Sequence, residues 1–185
     1  TYNTIHTIQY IKTIIMQTNT PTIRTYAYKY GIIISIITIA FSLMLHFMDL
    51  TYSGSNVPQI VNLVVSAACI IIAIVSFRSA NGNKLSVRQA VKLGTATAVI
   101  SGIIAVFYML LFANIIEPDF VERLGNEVTA KQIAEKYPQL TSDQIQQQVD
   151  MQAKFFWVTY PFLLIFSCIY GLVVGWITGL FTKRS

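Results

Sequence analysis

The sequence predicts an all-α membrane protein with four transmembrane helices and a helical outer loop between helices three and four. The 185-residue chain is 54% hydrophobic and only 11% charged, with a mean hydropathy of +0.57. Soluble domains average about 25% charged residues. A chain of this size buries too small a share of its surface to hide so much apolar side chain from water. The bilayer is therefore the expected solvent.

Four apolar runs are long enough to cross a bilayer as helices, which takes about 20 residues. None of them alternates apolar and polar residues as transmembrane barrel strands do. An open strand would also leave its backbone groups unpaired in lipid, so a helix is the expected form. The predicted spans are Gly31–Met48, Val57–Phe77, Val91–Ile116 and Phe155–Phe181.

The charged residues predict how the spans are oriented. Of the 13 lysines and arginines, nine flank one set of span ends without any acid, and all 8 acids flank the opposite ends. Because lysine and arginine are retained on the cytoplasmic side during insertion, both termini are expected in the cytoplasm. The nine cations are Lys12, Arg24, Lys29, Arg78, Lys84, Arg88, Lys92, Lys183 and Arg184.

The same pattern predicts the division of the chain. Residues 1–25 are expected to form a cytoplasmic tail and residues 26–185 a single four-helix transmembrane domain. Residues 117–154 would then be a periplasmic helical loop. Within the tail, residues 1–15 are repetitive in Thr and Ile and precede Met16. We expect Met16 to be the natural start and residues 1–15 to be translated upstream sequence.

Turn and cap signals mark the segment between the second and third spans. The sequence NGN at Asn81 to Asn83 is a strong reverse-turn signal. Ser86, with Gln89 three residues later, predicts a capping box. Around it, Arg88 and Lys92 are expected to meet lipid head groups. The residues expected to face apolar surroundings are Leu85, Val87, Val91 and Leu93.

The outer loop is the one sizeable polar region of the sequence. Pro118 is expected to open a helix with acids in its first turn, and Pro138 to end a second helix. Thr141, or the serine after it, is expected to cap a third, with Gln144 at capping-box spacing from Thr141. This third helix is predicted to continue into the fourth span as a stalk, with a kink at Pro161.

Two stripes of small residues predict close helix packing in the membrane. Small residues four positions apart let helix backbones approach and gain van der Waals contact that lipid does not replace. Whether the two faces meet within one chain or between chains is left open. The stripes are Gly94, Ala98 and Gly102 on the third span, and Gly171, Gly175 and Gly179 on the fourth.

A few polar residues near the outer span ends are weak candidates for a polar or proton-binding site, because ionisable residues at membrane depth are often functional. The candidates are His46, Asp49, Asn62 and Asn114, with Thr159 at similar depth. The alternative is that they lie at the head-group level, where polarity costs little. That alternative is favoured, because neither His46 nor Asp49 is near the midplane.

The order of these features resembles one family of small bacterial membrane proteins, domain of unknown function 4199, found chiefly in Bacteroidetes. The resemblance covers residues 26–184, with Asn83 standing where the family tends to have a second glycine. It implies a bacterial inner-membrane location and supplies no reaction, ligand or site residue. The matching residues are Asn81–Gly82, Gln89–Gly94, Pro118–Phe120 and Gly171–Arg184.

The sequence contains no enzyme template, metal-ligand spacing, phosphate loop or dinucleotide fingerprint. We therefore expect no catalytic residue and no cofactor. The cations responsible for the net charge of +5 lie beside apolar runs, which favours lipid over nucleic acid as the partner. The leading hypothesis is a scaffold or accessory subunit that binds itself or another envelope protein. A subunit of a small-solute transporter or channel is the alternative, and an enzyme is the third.

Overall fold

The computed structural model describes residues 21–182. The expectations for residues 1–15, Lys12, Met16, Lys183 and Arg184 lie outside the described residues. Within that range every regular element is helical, and four helices are long and apolar enough to cross a membrane. The prediction of an all-α protein with four transmembrane helices is confirmed.

Seven α-helices make up the described part of the chain. The four spans are α1 (Ile23–Phe47), α2 (Val57–Ala80), α3 (Val87–Leu111) and α7 (Thr159–Thr182). A π-helical turn, Phe112–Ile116, extends α3. Three shorter helices, α4 (Phe120–Arg123), α5 (Ala130–Lys136) and α6 (Ser142–Lys154), lie between α3 and α7, with π-helical residues Leu124–Thr129 joining α4 to α5. Residues 117–158 are called the cap below.

Side-chain caps set the ends of several helices. The Thr22 hydroxyl accepts a hydrogen bond from the Thr25 amide at 3.2 Å, so α1 begins at Ile23, before the predicted boundary at residue 26. The capping box of Ser86 and Gln89 is present at the start of α3, and Thr141 with Gln144 forms another at the start of α6. Each box satisfies backbone N–H groups that the first helical turn leaves free.

The turn between α2 and α3 follows the NGN signal. Gly82 and Asn83 both have a positive φ, at +65° and +61°, and the Asn81 side chain donates to the Lys84 carbonyl oxygen at 2.8 Å. Asparagine tolerates this left-handed conformation better than most residues. Asn83 therefore occupies a position whose backbone would also suit glycine.

The predicted stalk is wrong, because α6 and α7 are separate helices. The α-helix ends at Lys154, and a 3-10 turn, Phe156–Val158, leads into α7. In a continuous helix the nitrogen of Pro161 would have to donate to the Trp157 carbonyl oxygen, but proline has no N–H. Starting α7 at Thr159 places Pro161 in the first turn, where no donor is needed.

The four spans alternate in direction, and α3 holds the bundle together. It packs most extensively against α7 and next against α1, whereas α2 packs more loosely against its neighbours. Around the bundle the order is α1, α3, α7, α2. The end that carries the turn between α2 and α3 is called the turn end. A core cluster fills it: Ala27, Ile34, Ile70, Ile74, Phe77, Leu85, Ala90, Leu93 and Ala98.

The small-residue stripes of α3 and α7 face each other within one chain. A Cβ placed on Gly175 would lie 2.9 Å from the Ala90 carbonyl oxygen, and one on Gly171 would lie 2.6 Å from the Gly94 carbonyl oxygen. Such backbone contact is open only to residues without a side chain. At the other end of the stripe, a Cβ on Gly102 would lie 2.6 Å from Ser167 Oγ.

Charge is segregated along the bundle axis. Six cations lie at the turn end, and all 8 acids of the sequence lie at the cap end or in the cap. The cap itself adds four cations to its acids. The six at the turn end are Arg24, Lys29, Arg78, Lys84, Arg88 and Lys92.

Candidate functional site

A cavity of about 670 Å³ lies between the four spans in the half of the bundle next to the cap. It begins near Ile34, Ile70 and Ala98, where the core cluster of the turn end stops, and it reaches Phe112 and Phe120 at the cap. It exists because α2 packs more loosely than the other spans. The volume is typical of small-molecule sites, which measure about 300–1,000 Å³.

Neutral side chains line this cavity throughout. Among residues 21–182, no Asp, Glu, Lys, Arg or His contributes to the lining. Aliphatic and aromatic side chains supply most of the surface. The polar contributors are hydroxyls and amides: Thr38, Ser42, Thr51, Gln59, Asn62, Ser66, Ser101, Tyr108, Ser167 and Tyr170.

Several of the hydroxyls are already paired within the bundle. Tyr108 on α3 donates to Ser42 Oγ on α1 at 3.2 Å, and Tyr170 on α7 donates to the Leu63 carbonyl oxygen on α2. By contrast, Thr51 Oγ1 is buried and has no hydrogen-bond partner among residues 21–182. The cavity therefore has paired hydroxyls along its walls and an unpaired one near the cap.

A buried carboxylate ties the cap to the spans. Glu117, directly after the π-helical turn that ends α3, is only 9% exposed. Its Oε1 accepts a hydrogen bond from Arg123 Nη1 at 2.6 Å, and its Oε2 lies 3.3 Å from His46 Nδ1 at the end of α1. Arg123 Nε also donates to Glu127 Oε1 at 2.9 Å. A carboxylate this well buried requires such partners, because its desolvation would otherwise be costly.

Aromatic rings form a layer between this cluster and the cavity. Phe112 and Phe120 both line the cavity, and their ring centroids are 5.3 Å apart in an edge-to-face arrangement. His46 packs edge-on against Phe112 at 5.1 Å. Phe120 also contacts Phe156 of the 3-10 turn at 6.1 Å. This contact joins the turn between α6 and α7 to the aromatic layer.

Tyr52, in the loop between α1 and α2, completes the cluster. The Arg123 guanidinium lies over its ring at 4.2 Å from the centroid, a cation–π contact. Burial, followed by interaction with the Glu117 carboxylate, raises the pKa of Tyr52 well above its ordinary value. The hydrogen bond with Glu127 is the main reason that the pKa of Arg123 is raised as well. Arg123 is therefore a permanent cation, and Tyr52 remains neutral.

The polar residues singled out in the sequence do not form one site. The His46 side chain contacts Glu117 and not the side chain of Asp49, which is exposed in a turn with φ +56° after α1 has ended. Asn62 lines the cavity. Asn114 is exposed, and its side chain donates to the Leu110 carbonyl oxygen at 2.7 Å. Thr159 is the first residue of α7.

Sequence reasoning missed the two residues that organise the cluster, Glu117 and Arg123. The short spacing between Glu117 and Arg123 can be read from the sequence. The contact between Glu117 and His46, however, joins positions 71 residues apart and follows no local pattern. It also missed Ala90 and Ser167, which extend the two small-residue stripes by one step each. Their four-residue spacing from Gly94 and Gly171 was the available signal.

The geometry separates two kinds of chemistry. In the cluster of His46, Glu117 and Arg123, Glu117 Oε1 is hydrogen-bonded to Arg123, whereas Glu117 Oε2 is buried near His46 without a hydrogen bond among residues 21–182. These contacts join the cap to the end of α1. The cavity beneath the cluster offers apolar walls with neutral hydrogen-bonding groups, which suits uncharged molecules.

Comparison with known proteins gives one result. A family model described as "Protein of unknown function (DUF4199)" matches residues 29–184. No curated protein and no solved structure matches the chain. The family match runs from the first turns of α1 to beyond the end of α7, and so includes all four spans and the cap. This multi-pass membrane protein therefore belongs to the DUF4199 family.

Proposed function

We propose that the protein is a non-catalytic scaffold or accessory subunit of a cell-envelope complex, in the bacterial cytoplasmic membrane with both termini in the cytoplasm. The segregation of charge supports this orientation, because lysine and arginine are retained on the cytoplasmic side. In this orientation the turn end faces the cytoplasm and the cap faces the periplasm.

The observation that carries the proposal is an exposed polar helix, α6, that packs against the rest of the cap through one buried residue. One face of α6 packs inward through Val149, whose Cγ1 would lie 2.7 Å from a Cβ on Gly125. The other face is exposed and rich in amides. The exposed glutamines of α6 are Gln144, Gln146, Gln147, Gln148 and Gln152.

Such a face suits protein recognition for a physical reason. Each glutamine amide both donates and accepts hydrogen bonds. The backbone beneath them is already helical, so binding orders fewer groups and loses less entropy. The small-residue stripes, in contrast, are occupied by each other within the chain and are not free for a partner.

A crosslinking experiment in the native membrane tests the proposal. A photoreactive amino acid replaces Gln146 or Gln148 on α6, and the lipid-facing Val64 on α2 serves as the matched control. The proposal predicts one discrete envelope protein, or a second copy of this chain, crosslinked from α6 and not from Val64. Crosslinks to lipid alone at all three positions would contradict it.

A labelling experiment tests the orientation separately. Single cysteines replace Lys84 in the turn or Gln146 in the cap, with Cys69 and Cys168 changed to alanine. A membrane-impermeant thiol reagent added to intact spheroplasts should modify only the cysteine at position 146. Modification at position 84 without permeabilisation would reverse the proposed orientation.

A role as subunit of a small-solute transporter or channel is the second candidate, and the cavity favours it. However, the cavity ends at the core cluster of the turn end, where α3 and α7 are in backbone contact. A continuous path would require these helices to separate. Uptake of a neutral solute into liposomes by the purified chain would support this second candidate over the scaffold.

A further inference from the structure

The cavity is too large to be a packing defect. Protein interiors are close-packed, with few voids larger than a water molecule. A space of about 670 Å³ therefore needs an occupant. Within a membrane the available occupants are water and lipid.

The depth of the cavity matches one leaflet of a bilayer. Along α3 the lining extends from Ala98 to Phe112, which corresponds to about 21 Å at 1.5 Å per residue. Half of the hydrocarbon core measures about 15 Å. The cavity therefore runs from near the middle of the membrane to the interface on the cap side, as a lipid chain and its head group would.

The lining selects against charge. No charged side chain among residues 21–182 contributes to it, and the charges of the cap lie beyond Phe112 and Phe120. The Glu117 carboxylate is already paired with Arg123. An ionised ligand would enter without a counter-charge and would bear a large desolvation cost. The occupant is therefore uncharged.

The polar groups are placed to receive a neutral head group. Asn62 and Ser66 are one helical turn apart on α2 and both line the cavity. Neither side chain makes a hydrogen bond with another side chain among residues 21–182, whereas Thr51 Oγ1, nearer the cap, is buried without any partner. Toward Ile34 and Ile70 the hydroxyls of the lining are already hydrogen-bonded within the bundle. Thr38 donates to the Ser35 carbonyl oxygen, Ser101 accepts from Ser35 Oγ, and Ser167 donates to the Leu163 carbonyl oxygen. A ligand with hydroxyls at the cap end and a hydrocarbon chain at the other end matches this distribution of free polar groups.

A lateral opening between α2 and α7 gives access from the bilayer. Leu63 of α2 and Phe166 of α7 both line the cavity and are 39% and 47% exposed on the outer surface of the bundle. Below them, the hydrogen bond from Tyr170 to the Leu63 carbonyl oxygen joins the two helices. A lipid could therefore enter sideways above this bond, without crossing the cap.

We propose that this cavity binds an uncharged lipid with a hydroxylated head group, taken from the leaflet on the cap side. The simplest chemistry of this class is a monoacylglycerol or a long-chain alcohol. The head group bonds to Asn62 and Thr51 near the cap, and the chain passes Ser66 toward Ile34 and Ile70. The proposal does not depend on the scaffold role, because lipid binding requires no partner protein.

Photolabelling of the purified full-length chain in nanodiscs tests this proposal. The probe is a monoacylglycerol with a diazirine in its acyl chain, and the matched control is the alkyl sulfate with the same chain, which stays ionised when it is desolvated. We expect the monoacylglycerol to label peptides lining the cavity on α2 and α3, with competition by unlabelled monoacylglycerol. The alkyl sulfate should label only the lipid-facing surface.

Two substitutions on one helix separate the cavity from the outer surface. Ser66→Leu fills the cavity, whereas Val64→Leu adds the same kind of bulk at a position that is 63% exposed. Cavity labelling should fall at least about tenfold in Ser66→Leu, equivalent to about 1.4 kcal/mol of binding, and should be unchanged in Val64→Leu. If Ser66→Leu fails to fold, Ala105→Leu on α3 fills the same space from the opposite wall.

Three results would overturn the proposal. They are equal labelling by both probes, labelling of the cavity that Ser66→Leu or Ala105→Leu leaves unchanged, and labelling confined to lipid-facing positions such as Val64. The last of these would indicate a cavity filled with water. Each result is obtained without a partner protein, so it leaves the crosslinking test of the scaffold role unaffected.

Discussion

The two halves of this bundle are built from the same four helices in opposite ways. In the half toward the turn end, α3 and α7 meet backbone to backbone through glycine, and apolar side chains fill the remaining space. In the half toward the cap, the spans enclose a cavity and are joined by hydroxyl contacts, aromatic rings and one buried carboxylate. The turn half is stabilised by close van der Waals packing and the cap half by specific polar and aromatic contacts. Substitutions in the turn half should therefore destabilise the protein through steric overlap, and those in the cap half through lost hydrogen bonds and ion pairs.

The largest effect is expected in the turn half, from Gly175→Leu. Even a Cβ at this position would lie 2.9 Å from the Ala90 carbonyl oxygen, and backbone cannot move aside as a flexible side chain can. Overpacking of this kind costs about 3 kcal/mol or more. In an unfolding titration with dodecyl sulfate, the variant should unfold at a lower detergent concentration than the unaltered protein. Val173→Leu, on the lipid-facing side of the same helix, should unfold like the unaltered protein.

A somewhat smaller effect is expected in the cap, from Glu117→Gln. The substitution replaces the charge-assisted hydrogen bond from Arg123 and the contact with His46, at a cost of about 2 kcal/mol. Limited proteolysis should cut the cap faster while the spans stay intact. The control is Glu122→Gln, at an exposed acid in α4, five residues later in the cap. If both variants were cut at the same rate, the buried carboxylate would not be what fixes the cap.

Val149→Ala should loosen α6 alone. Two buried methyl groups are lost from the contact with Gly125, at about 0.8 kcal/mol each. Hydrogen exchange in α6 should become faster, with α4 and the spans unaffected. Gln147→Ala, on the exposed face, provides the comparison, and equal acceleration in both variants would contradict the inward packing of Val149.

The smallest effect concerns pH and Tyr52. Because the pKa of this phenol is raised in the folded protein, the folded state holds its proton more tightly than the unfolded state does. The corresponding stability is present below about pH 10, the ordinary tyrosine pKa, and is lost as pH rises above it. Tyr52→Phe keeps the ring beneath Arg123 and should make unfolding less dependent on pH between about pH 10 and 11. If the pH dependence of unfolding were the same in Tyr52→Phe and in the unaltered protein, Tyr52 would not contribute to the stability of the cluster.

The sequence allowed the turn half to be predicted better than the cap half. Spans, caps and small-residue stripes are local patterns with fixed spacing, as for Ser86 with Gln89 and for Gly171, Gly175 and Gly179. What the pattern left open was whether the stripes meet within one chain, since the same spacing serves both arrangements. The structure places Gly94 against Gly171 and Gly175 of the same chain.

The cap half depends on contacts that join distant segments. His46 and Glu117 are brought together only in the folded bundle. Phe120 packs against Phe156, although the two residues lie near opposite ends of the cap sequence. No periodicity marks such pairs. Pro161 was an available signal for the break between α6 and α7, because an interior proline kinks or breaks a helix and costs least in the first turn. The cavity has no sequence signal, because it results from the looser packing of α2.

The contrast between the halves is tested most directly by thiol reactivity at two neighbouring turns of α3. Thr97 is 0% exposed at the edge of the packed half, and Ser101, four residues on, lines the cavity. Each is replaced by cysteine in a chain whose Cys69 and Cys168 are alanine, and a small membrane-permeant thiol reagent is added. The cysteine at 101 should react many times faster than the one at 97. Equal rates at the two positions would mean that the bundle is packed alike along its length and that the cavity does not exist.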